Sequence, residues 1–495
     1  MSQNIEHKRH TLAHLLAAAV LEKYPKAKLT LGPAVDNGFY YDIDFSNGES
    51  PGDNDLKGLQ KDMKKLMNKW NEFTHEEVAP DKAREMFKGN EFKLELIDEI
   101  EQKGEKINLY TCGGFTDLCR GGHVENPKEE IATDAFKLDK IAGAYWRGNE
   151  KNPMLTRIYG LAFDTREELA DYEKQREEAR ARDHKKLGAE LDLYVIDEKV
   201  GKGLPLWTPK GTAIKQTLEN FTLNLERKYG YEHVSTPYLG SEKLYQTSGH
   251  LDHYSSSMYS PIDMDGEKYY LRPMACPHHI RMFQRKSWSY KDLPVRYAEI
   301  ADYNRFEKSG ELMGMIRVRK FELTDGHIFV APDGLKEEFK NVCRMIAEGM
   351  EGLGLSEIVS YRFSKRDPAN TEKYFPDDDL WNNAEAIMKE ALDEIGFSYI
   401  EAEDEAAFYG PKLDVQAKNV NGKEDTLFTA QMDFLLPEKF EMEYVDADGK
   451  KKRPVMIHRS TIGSLERVFA FLIEHYGGNF PLWLAPTQLA IIPVA

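Results

Sequence analysis

The segment Leu-Arg-Pro-Met-Ala-Cys-Pro-His-His at residues 271–279 decides the fold, because its cysteine requires distant partners. Cys276 is followed by His327, in Asp-Gly-His-Ile-Phe, and by His458, in Met-Ile-His-Arg-Ser. One thiolate and two imidazoles are the ligand set of a zinc ion that keeps an open coordination position. The intervals, 51 residues from 276 to 327 and 131 from 327 to 458, are too long for a zinc finger. The sequence therefore predicts a metal site that a folded domain assembles.

Bulk composition indicates a globular protein of several domains. The chain has 495 residues, of which 41% are hydrophobic and 31% charged, so two to four domains are expected. No apolar run reaches about 18 residues, which excludes a membrane-spanning helix. A net charge of −17 disfavours unspecific binding to nucleic acid, DNA included, but it allows a shaped RNA that meets local basic patches. Four cysteines without a C-x-x-C pair favour a reducing, cytoplasmic compartment.

Local patterns divide the chain into two main regions. Residues 12–21 predict an amphipathic helix rather than a signal peptide, because His14 interrupts the apolar run and charged residues follow it. Thr165 and Glu168 form a capping-box pattern, and the charged run behind them predicts one long polar helix over 164–190. A second region of strands and helices begins at about residue 191. The last ten residues, 486–495, begin an apolar strand.

Charged residues on two strands and one helix favour chemistry at a phosphate. Arg305 and Glu307 lie near the end of a predicted strand, a loop with two glycines follows, and Arg317 opens a second predicted strand. Arg467 comes one turn into a predicted helix, whose N-terminus favours anions. Forming an acyl-adenylate from ATP requires charge stabilisation and in-line positioning more than proton transfer. Guanidinium groups grip phosphate oxygens bidentately, so the pattern indicates adenylate formation.

A second group of chemistry-bearing residues lies in the first region. His10 and His14 are spaced i and i+4, which places both imidazoles on one helix face. Asp117, Cys119 and His123 follow much later in the chain. Two histidines with a Cys-x-x-x-His segment are compatible with a second zinc site, and equally with histidines that pack in a core or at the surface. The bare pattern does not decide between these two interpretations.

Six stretches of the chain resemble the threonyl-tRNA synthetases, a family of class II aminoacyl-tRNA synthetases, over essentially the whole length. They lie at residues 203–211, 234–237, 271–279, 408–412, 454–459 and 480–486. The resemblance implies an α+β fold. It implies an editing domain over 1–163, a helical linker over 164–190, a class II antiparallel-sheet catalytic domain over 191–485 and the start of an anticodon-binding domain over 486–495. It further implies that the family's N-terminal ubiquitin-like domain is absent and that chains pair as homodimers around Pro237.

The resemblance also implies roles in the catalytic domain. By position, Arg305 would hold the α-phosphate and the substrate carboxylate, Glu307 would read the adenine amino group, and Arg467 would hold the γ-phosphate. Arg317 would join the ATP clamp, with Mg²⁺ accompanying ATP. The pocket for the amino acid and the adenylate would be lined by Asp325, Tyr409, Gln431 and Ser464. The implied partners are L-threonine, ATP and tRNA(Thr).

One zinc ion per chain, held by Cys276, His327 and His458, would have a physical purpose in such an enzyme. Its open position would take the amino and hydroxyl groups of threonine. Valine has no hydroxyl to offer, and a site built around that bond rejects it strongly. Serine lacks only one methyl group, which is worth roughly 1–3 kcal/mol. A second site that removes mischarged serine is therefore required.

The resemblance implies that this editing site lies in the first domain. In the family, H-x-x-x-H and C-x-x-x-H segments line a pocket that hydrolyses seryl-tRNA with a water molecule and no metal. His10 would help to activate the water, and Lys93 and Asp117 would orient it. The implied set of editing residues is His10, His14, Lys93, Asp117, Cys119 and His123.

Several positions depart from the family pattern. Ala275 stands where the family has Asn and Gly122 where it has Pro, whereas Leu323 and Thr426 replace two pocket glutamines. The lost glutamines motivate one alternative, a catalytically weakened paralogue that binds threonine or RNA as a sensor. A synthetase for another small amino acid is a second alternative, against which the Cys/His/His set and Asp325 argue.

Overall fold

The structure, a computed structural model, describes residues 3–492 and forms two compact units that divide between Arg176 and Glu177. Both units combine helices with largely antiparallel sheets, which confirms the predicted α+β class. The predicted domain boundaries at residues 163 and 190 stay predictions. Within the described residues, no helix is long and apolar enough to cross a membrane.

The first unit contains six helices and eight strands among its described residues. In chain order they are α1 (Gln3–Lys23), β1 (Lys28–Leu29), β2 (Ala34–Val35), β3 (Gly38–Asp44), α2 (Leu56–Met67), β4 (Thr74–Val78), α3 (Pro80–Met86), α4 (Glu91–Gln102), β5 (Ile107–Cys112), β6 (Phe115–Leu118), α5 (Pro127–Glu130), β7 (Phe136–Tyr145), β8 (Met154–Ala162) and α6 (Arg166–Arg182). The last helix crosses the division between the units. One sheet has the order β1-β3-β8-β7 with β2 against β3, and a smaller one has the order β4-β5-β6.

Helix α1 lies in the centre of the first unit. All ten residues from 11 to 20 are buried, because the run is Ala- and Leu-rich on every side and packs with α2 and the larger sheet. A helix that is apolar all round is expected in a core. The predicted helix is therefore confirmed, but its description as amphipathic is wrong. The deep burial carries His14 into the interior, where it is 3% exposed.

The second unit contains the longer sheet and most of the helices. Its elements are α7 (His184–Glu190), β9 (Tyr194–Ile196), β10 (Pro205–Trp207), α8 (Pro209–Lys228), β11 (Glu232–His233), β12 (Leu239–Ser241), α9 (Glu242–Ser248), α10 (His250–His253), β13 (Ile262–Met264), β14 (Glu267–Leu271), α11 (Cys276–Phe283), β15 (Val295–Asn304), β16 (Lys320–Val330), α12 (Leu335–Gly352), β17 (Val359–Ser364), α13 (Asp378–Glu394), β18 (Tyr399–Ala402), β19 (Lys412–Lys418), β20 (Glu424–Asp433), α14 (Leu435–Lys439), β21 (Tyr444–Val445), β22 (Lys451–Lys452), β23 (Val455–Ser464) and α15 (Leu465–Tyr476). Helices α8, α12 and α15 contribute to the main core of this unit.

An eight-stranded sheet organises the second unit in the order β11-β15-β16-β23-β20-β19-β17-β18. All neighbours pair antiparallel except the two edge pairs, β11 with β15 and β17 with β18. His327 on β16 stands opposite His458 on β23, which stands opposite Gln431 on β20. Directly opposed residues have Cβ atoms about 4.5–5.5 Å apart. The register therefore brings together side chains that are more than a hundred residues apart.

The prediction of one helix over 164–190 is wrong, because this stretch consists of α6 and α7 with a break at Asp183. The capping box that starts it is confirmed: the Glu168 amide donates to Thr165 Oγ1 at 3.2 Å, and the Thr165 amide donates to Glu168 Oε2 at 3.2 Å. At the break, the Asp183 carboxylate accepts a hydrogen bond from the Lys185 amide at 2.8 Å. Asp competes with helical backbone bonding in this way and caps the next helix.

Two strand predictions also need correction. The strand predicted from Arg317 begins only at Lys320, so Arg317 lies in the preceding loop. The strand predicted over 486–495 is absent from 486–492, and residues 493–495 lie outside the described part of the chain. Arg317 instead pairs with Met313 within its own loop, and residues 486–492 have no partner strand among the described residues. Pairing of this kind is decided by tertiary structure and not by local sequence.

Candidate functional site

A cavity of about 330 Å³ in the second unit gathers side chains from across the sheet. Its lining comes from α11, from β15 and β16 with the loop between them, and from β20, β23 and α15. Every residue predicted for activation, amino-acid binding or metal binding lines it, namely Cys276, Arg305, Glu307, Arg317, Asp325, His327, Tyr409, Gln431, His458, Ser464 and Arg467. The predicted roles of these residues stay predictions, but their convergence is a property of the fold.

Three potential metal donors meet at one end of this cavity. The donor atoms of Cys276, His327 and His458 all lie within 4.8 Å of one another. Cys276 is the first residue of α11, while the two histidines face each other on β16 and β23. Their imidazole centroids are 4.8 Å apart. Zinc requires donors of this kind at a common distance from one point.

Hydrogen bonds behind the two histidines fix which nitrogen faces the cluster. His458 Nε2 donates to the carboxylate of Asp433 at 2.7 Å, so the Nδ1 lone pair is free. His279 Nε2 donates to Glu299 at 3.0 Å, and its Nδ1 therefore accepts from His327 Nδ1 at 2.8 Å. This leaves the Nε2 lone pair of His327 free. Carboxylate-supported imidazoles of this kind are typical of metal ligands.

The environment of Cys276 suits a thiolate that a cation stabilises. The side chain is 4% exposed. Burial raises the pKa of the thiol well above its usual value, and the negative charges of Asp325 and Asp433 add to the increase. A divalent cation reverses that preference because it holds the deprotonated thiol. One thiol and two correctly polarised imidazoles therefore fit zinc.

Three arginines bring positive charge to the same cavity. Arg305, Arg317 and Arg467 all line it, and none of them forms an ion pair with a carboxylate among the described residues. Burial and the charges of the other two arginines lower the pKa of Arg467 to about 10, so it remains charged at neutral pH. Uncompensated guanidinium groups in a cavity favour an anion.

Protein hydrogen bonds hold two of these arginines, Arg305 and Arg467, in place. Arg305 Nε donates to the Pro273 carbonyl at 3.3 Å, and its guanidinium lies 5.1 Å from the Phe321 ring centroid. Arg467 donates to the carbonyls of Ile316 and Thr426. These contacts use carbonyl groups, so they orient the guanidinium groups without neutralising their charge.

Near the metal donors, the cavity is lined by polar groups that are bonded to one another. Tyr303 donates to Asp325, whose other oxygen accepts from the Gly326 amide at 2.9 Å. Tyr409 donates to Gln431. Ser464 has a structural role as the N-cap of α15, where its hydroxyl accepts from the Arg467 amide at 3.1 Å. This cap orients the first turn that carries Arg467.

The two substituted glutamine positions also line this cavity. Leu323 offers a side chain without hydrogen-bonding groups, and Thr426 bonds to Gln416 at 2.8 Å. The Thr426 carbonyl accepts from Arg467, a contact that does not depend on the side chain. The cavity wall therefore has a leucine and a threonine at these two positions, and the position of Arg467 depends on neither side chain.

Sequence reasoning missed several residues around this cavity. His250 lies 4.0 Å from the Cys276 sulfur, and burial lowers the pKa of its imidazole to about 4. The supporting residues Asp433, His279, Glu299 and Tyr303 were also missed. Only His279 gave a local signal, because it closes the Cys-Pro-His-His segment. The others lie at distances along the chain that no spacing rule connects.

A second cavity, of about 860 Å³, lies in the first unit. It is lined by five of the six residues predicted for editing, namely His10, His14, Lys93, Asp117 and Cys119. The sixth residue, His123, touches the same group: its Nε2 lies 3.3 Å from the Cys119 sulfur, and its ring stacks on His10 at 4.4 Å. Glycine 122, at φ +85°, has its carbonyl 3.3 Å from His10 Nδ1.

The histidines and cysteine of this second cluster are held in neutral forms. His10 Nδ1 donates to the Gly122 carbonyl, which leaves the Nε2 lone pair 3.5 Å from the Cys119 sulfur. Burial, with the neighbouring His14 and His10, lowers the pKa of His123 to about 2. Burial raises the pKa of the Cys119 thiol to about 11. A neutral imidazole with a free lone pair can accept a proton from water.

A buried charged network forms the floor of the second cavity. Lys93 Nζ lies 2.5 Å from Asp117 Oδ1, and Tyr41 donates to Asp117 Oδ2 at 2.5 Å. Lys93 and Asp117 are each about 2% exposed. A buried charge pair with complete hydrogen bonding keeps a fixed geometry. Tyr41, which the sequence did not single out, completes this network from the middle of β3.

Comparison with known families matches each unit separately. The model described as "tRNA synthetase class II core domain (G, H, P, S and T)" matches residues 259–476. That described as "Threonyl and Alanyl tRNA synthetase second additional domain" matches residues 107–159. The cavity and the match to the class II core domain together define the second unit as a class II aminoacyl-tRNA synthetase core.

Individual relatives narrow this class. The chain is 48% identical over 497 aligned positions to a threonine–tRNA ligase from Geobacillus sp. (strain WCH70), covering 100% of this chain and 76% of the relative. It is 49% identical to threonine–tRNA ligase 1 from Bacillus subtilis (strain 168), covering 98% and 75%. A crystal structure of the RNA-binding domain of threonyl-tRNA synthetase from Cryptosporidium parvum shares 34% identity at a TM-score of 0.58, covering 61% of this chain and 75% of that chain.

The chain therefore belongs to the threonyl-tRNA synthetase family of aminoacyl-tRNA ligases. It is an enzyme of that family, and the alternative of a catalytically weakened paralogue that binds threonine or RNA as a sensor is not favoured.

Proposed function

We propose that the second unit activates L-threonine with ATP and transfers it to tRNA(Thr), while the first unit hydrolyses seryl-tRNA. The observation that supports this division is that two separate cavities hold different chemistry. The cavity of the second unit combines three unpaired arginines with a Cys/His/His set. The first unit's cavity holds neutral histidines above a Lys93–Asp117 pair.

In the activation step, a carboxylate oxygen of threonine attacks the α-phosphorus of ATP. The new bond gives threonyl-adenylate, and the bond to pyrophosphate breaks. Arg305 neutralises the α-phosphate and the attacking carboxylate, whereas Arg467 and Arg317 hold the departing pyrophosphate, with Mg²⁺ accompanying ATP. Stabilisation of developing charge by fixed donors is the largest contribution available to such a reaction. In the transfer step, a ribose hydroxyl of the tRNA end attacks the activated carbonyl and AMP leaves.

Recognition of threonine is assigned to the metal end of the cavity. Zinc, when bound by Cys276, His327 and His458, supplies an open position for the amino and hydroxyl groups of the substrate. Asp325 and Gln431 line the same cavity and offer acceptors for the N–H and O–H groups of the substrate. A synthetase for a different small amino acid has less support, because a site that requires a hydroxyl rejects substrates without one.

Editing is assigned to the first unit. His10 takes a proton from a water molecule, which attacks the ester carbonyl of seryl-tRNA and releases serine and the tRNA hydroxyl. Lys93 and Asp117 orient the substrate and the water. Neutral imidazoles support this assignment, since a protonated ring cannot act as a base. His14, Cys119 and His123 surround the reacting group, and we propose no metal for this site.

We further propose that the enzyme is a cytoplasmic homodimer. Four free cysteines without a disulfide support a reducing compartment. Tyr238, beside Pro237, is 56% exposed, and an exposed aromatic side chain at this point is suited to a protein interface. Sedimentation equilibrium of the wild type and Tyr238→Glu measures the oligomeric state. Dimers in the wild type that weaken in the variant are expected, and monomers in both would exclude this interface.

Pyrophosphate exchange with a panel of amino acids tests the main proposal. Threonine should support ATP–pyrophosphate exchange, serine should be used roughly 10–200-fold less efficiently, and valine should be used less than serine. Exchange with no amino acid, or strongest exchange with an amino acid that lacks a hydroxyl, would overturn it. Deacylation of seryl-tRNA and threonyl-tRNA, measured in parallel, should show a preference for the seryl ester.

A further inference from the structure

His184 is a buried imidazole outside both cavities. It is the first residue of α7, directly after the break at Asp183, and is 2% exposed. Its Nδ1 lies 2.7 Å from the Glu474 carboxylate on α15. Its Nε2 lies 3.2 Å from the backbone nitrogen of Met315, in the loop between β15 and β16. That loop carries Arg317.

The partners of His184 fix its tautomer. A backbone amide can only donate, so Nε2 accepts from Met315, and the ring proton on Nδ1 is donated to Glu474. Asp183, His184 and Glu474 present three potential metal donors within 4.8 Å. Both ring nitrogens are already used, however, so a metal would have to break the bond to Met315. The contacts therefore favour a structural connection over a metal site.

The loop is shaped to receive this imidazole. Gly314 has φ +50°, and a Cβ at that position would lie 2.1 Å from His184 Nε2. The close approach of the ring to the backbone therefore requires glycine. Met315 itself is fully buried, so its amide has no access to water if the histidine is removed.

Helix α15 holds the backbone of two successive residues of the loop, Met315 and Ile316. Glu474 reaches the Met315 amide through His184, and Arg467 Nε donates to the Ile316 carbonyl at 3.0 Å. Arg467 and Glu474 are seven residues apart, which places them on one face of the helix. The next residue of the loop is Arg317. Its backbone is thus positioned from the same helix that supplies Arg467.

We propose that His184 is a positioning residue that sets Arg317 for the triphosphate of ATP. The proposal rests on the proposed activation reaction. Losing the acceptor leaves the buried Met315 amide unpaired and frees the loop to move. This affects ATP, because Arg317 and Arg467 face the phosphates. Threonine binding is largely spared, because the metal donors, Tyr409 and Gln431 lie outside the loop. Arg305, the first residue of the loop, is held separately by the Pro273 carbonyl.

Two amide substitutions separate the two hydrogen bonds of the ring. In His184→Gln, the side-chain oxygen can replace Nε2 as the acceptor from Met315. In His184→Asn, the shorter amide can replace only the donor to Glu474. We expect His184→Asn to lower kcat/KM for ATP by about 10-fold and His184→Gln by less than about 3-fold. The KM for threonine should stay within about 2-fold in both variants.

Gly314→Ala provides an independent route to the same contact. The added Cβ displaces the imidazole, so this variant should resemble His184→Asn in its loss of ATP efficiency. His475→Asn serves as the matched control, because His475 neighbours Glu474 but packs against Tyr476 at the end of α15. It should leave the KM for ATP unchanged.

Hydrogen exchange at the Met315 amide keeps the proposal testable if a variant is poorly active. The amide should be protected in the wild type and in His184→Gln and should exchange faster in His184→Asn. Equal ATP efficiency in the Asn and Gln variants, or an equal rise in both substrates' KM values, would overturn the positioning role. Absence of threonine-dependent exchange in the wild type would instead contradict the proposed function.

Discussion

The two cavities contain nearly the same reactive residues, one cysteine with two or three histidines, but different partners behind them. In the second unit, carboxylates support the histidines: Asp433 directly, and Glu299 through His279. In the first unit, His10 bonds to a backbone carbonyl and His123 lies 3.3 Å from the Thr11 hydroxyl. The carboxylate nearest to this cluster, that of Asp117, is already bonded to Lys93 and Tyr41.

This difference teaches that supporting residues decide the chemistry of a Cys/His cluster. A carboxylate raises the basicity of an imidazole and compensates a cation, so it favours metal binding. A carbonyl or hydroxyl fixes the ring without adding negative charge, which favours a neutral base. The same ligand types therefore predict zinc in the second unit and a metal-free pocket in the first.

The largest expected effect is loss of zinc from one cluster alone. Cys276→Ser should reduce zinc from one ion per chain to almost none, whereas the matched Cys119→Ser should retain it, because only in the former cluster do carboxylates form hydrogen bonds with the histidines. Metal analysis of both purified variants provides the measurement. If Cys119→Ser contained one ion fewer per chain than the wild type, the first cluster would be a metal site as well, and the proposed difference between the two clusters would be wrong.

Arg305→Ala tests the positive charge that the arginines bring to the cavity of the second unit. Threonine-dependent pyrophosphate exchange should fall by ~10²–10³-fold, because a fixed cationic donor is lost where charge develops. Hydrolysis of seryl-tRNA should be unchanged. Arg344→Ala is the control, since that arginine is 48% exposed on α12 and pairs with Glu337. Wild-type exchange by Arg305→Ala would remove Arg305 from the proposed mechanism.

His10→Ala tests the other cavity. Deacylation of pre-charged seryl-tRNA should slow by roughly 10²-fold, as expected on loss of a general base, while threonine activation stays unchanged. The enzyme should be in excess over seryl-tRNA, so that the measured rate is that of the chemical step. His75→Ala is the control, because His75 is an exposed histidine of the same unit that bonds to Asn108. A parallel fall in both activities would argue that the two sites are not separate.

The smallest expected effect concerns the ionisation of Glu466, one of two buried carboxyl groups of the second unit whose pKa values shift in opposite directions. Burial alone would raise the pKa of Glu299, but hydrogen bonds from His279 and Thr236 and the charge of Arg272 lower it to about 2. Burial raises the pKa of Glu466 to about 7. One Glu466 oxygen accepts from the Glu322 amide at 2.9 Å, and the other has no hydrogen-bond partner among the described residues.

Because the folded pKa of Glu466 exceeds its unfolded value, the native state binds more protons between about pH 4.5 and 7. Stability therefore falls as pH rises through that window. Glu466→Gln, which cannot ionise, should melt a few °C above the wild type at pH 8 and close to it at pH 5, equivalent to ~1–3 kcal/mol. Thermal melts across pH 5–8 measure this. An unchanged difference across the range would exclude ionisation of Glu466.

Some of the structure followed directly from local sequence. The Thr165 and Glu168 capping box forms as predicted, and His10 and His14 share a helix as their spacing requires. Other predictions were wrong because a contact that the local pattern does not show determined the structure. The 164–190 helix breaks where the Asp183 side chain caps α7, and the segment from Arg317 stays a loop until Lys320. The helix around His14 is buried on all sides because a sheet and a second helix cover it.

The sequence alone determined the family, the α+β class and the types of residue available at each site, because motifs and periodicity are local properties. Tertiary structure alone decided what those residues can do. Strand register places His327 opposite His458, Asp433 and His279 select the ring nitrogens that face the metal donors, and His184 joins α15 to the loop of Arg317. These contacts connect residues from 25 to 290 positions apart. Such pairings depend on the packing of whole elements, which no short stretch of sequence specifies.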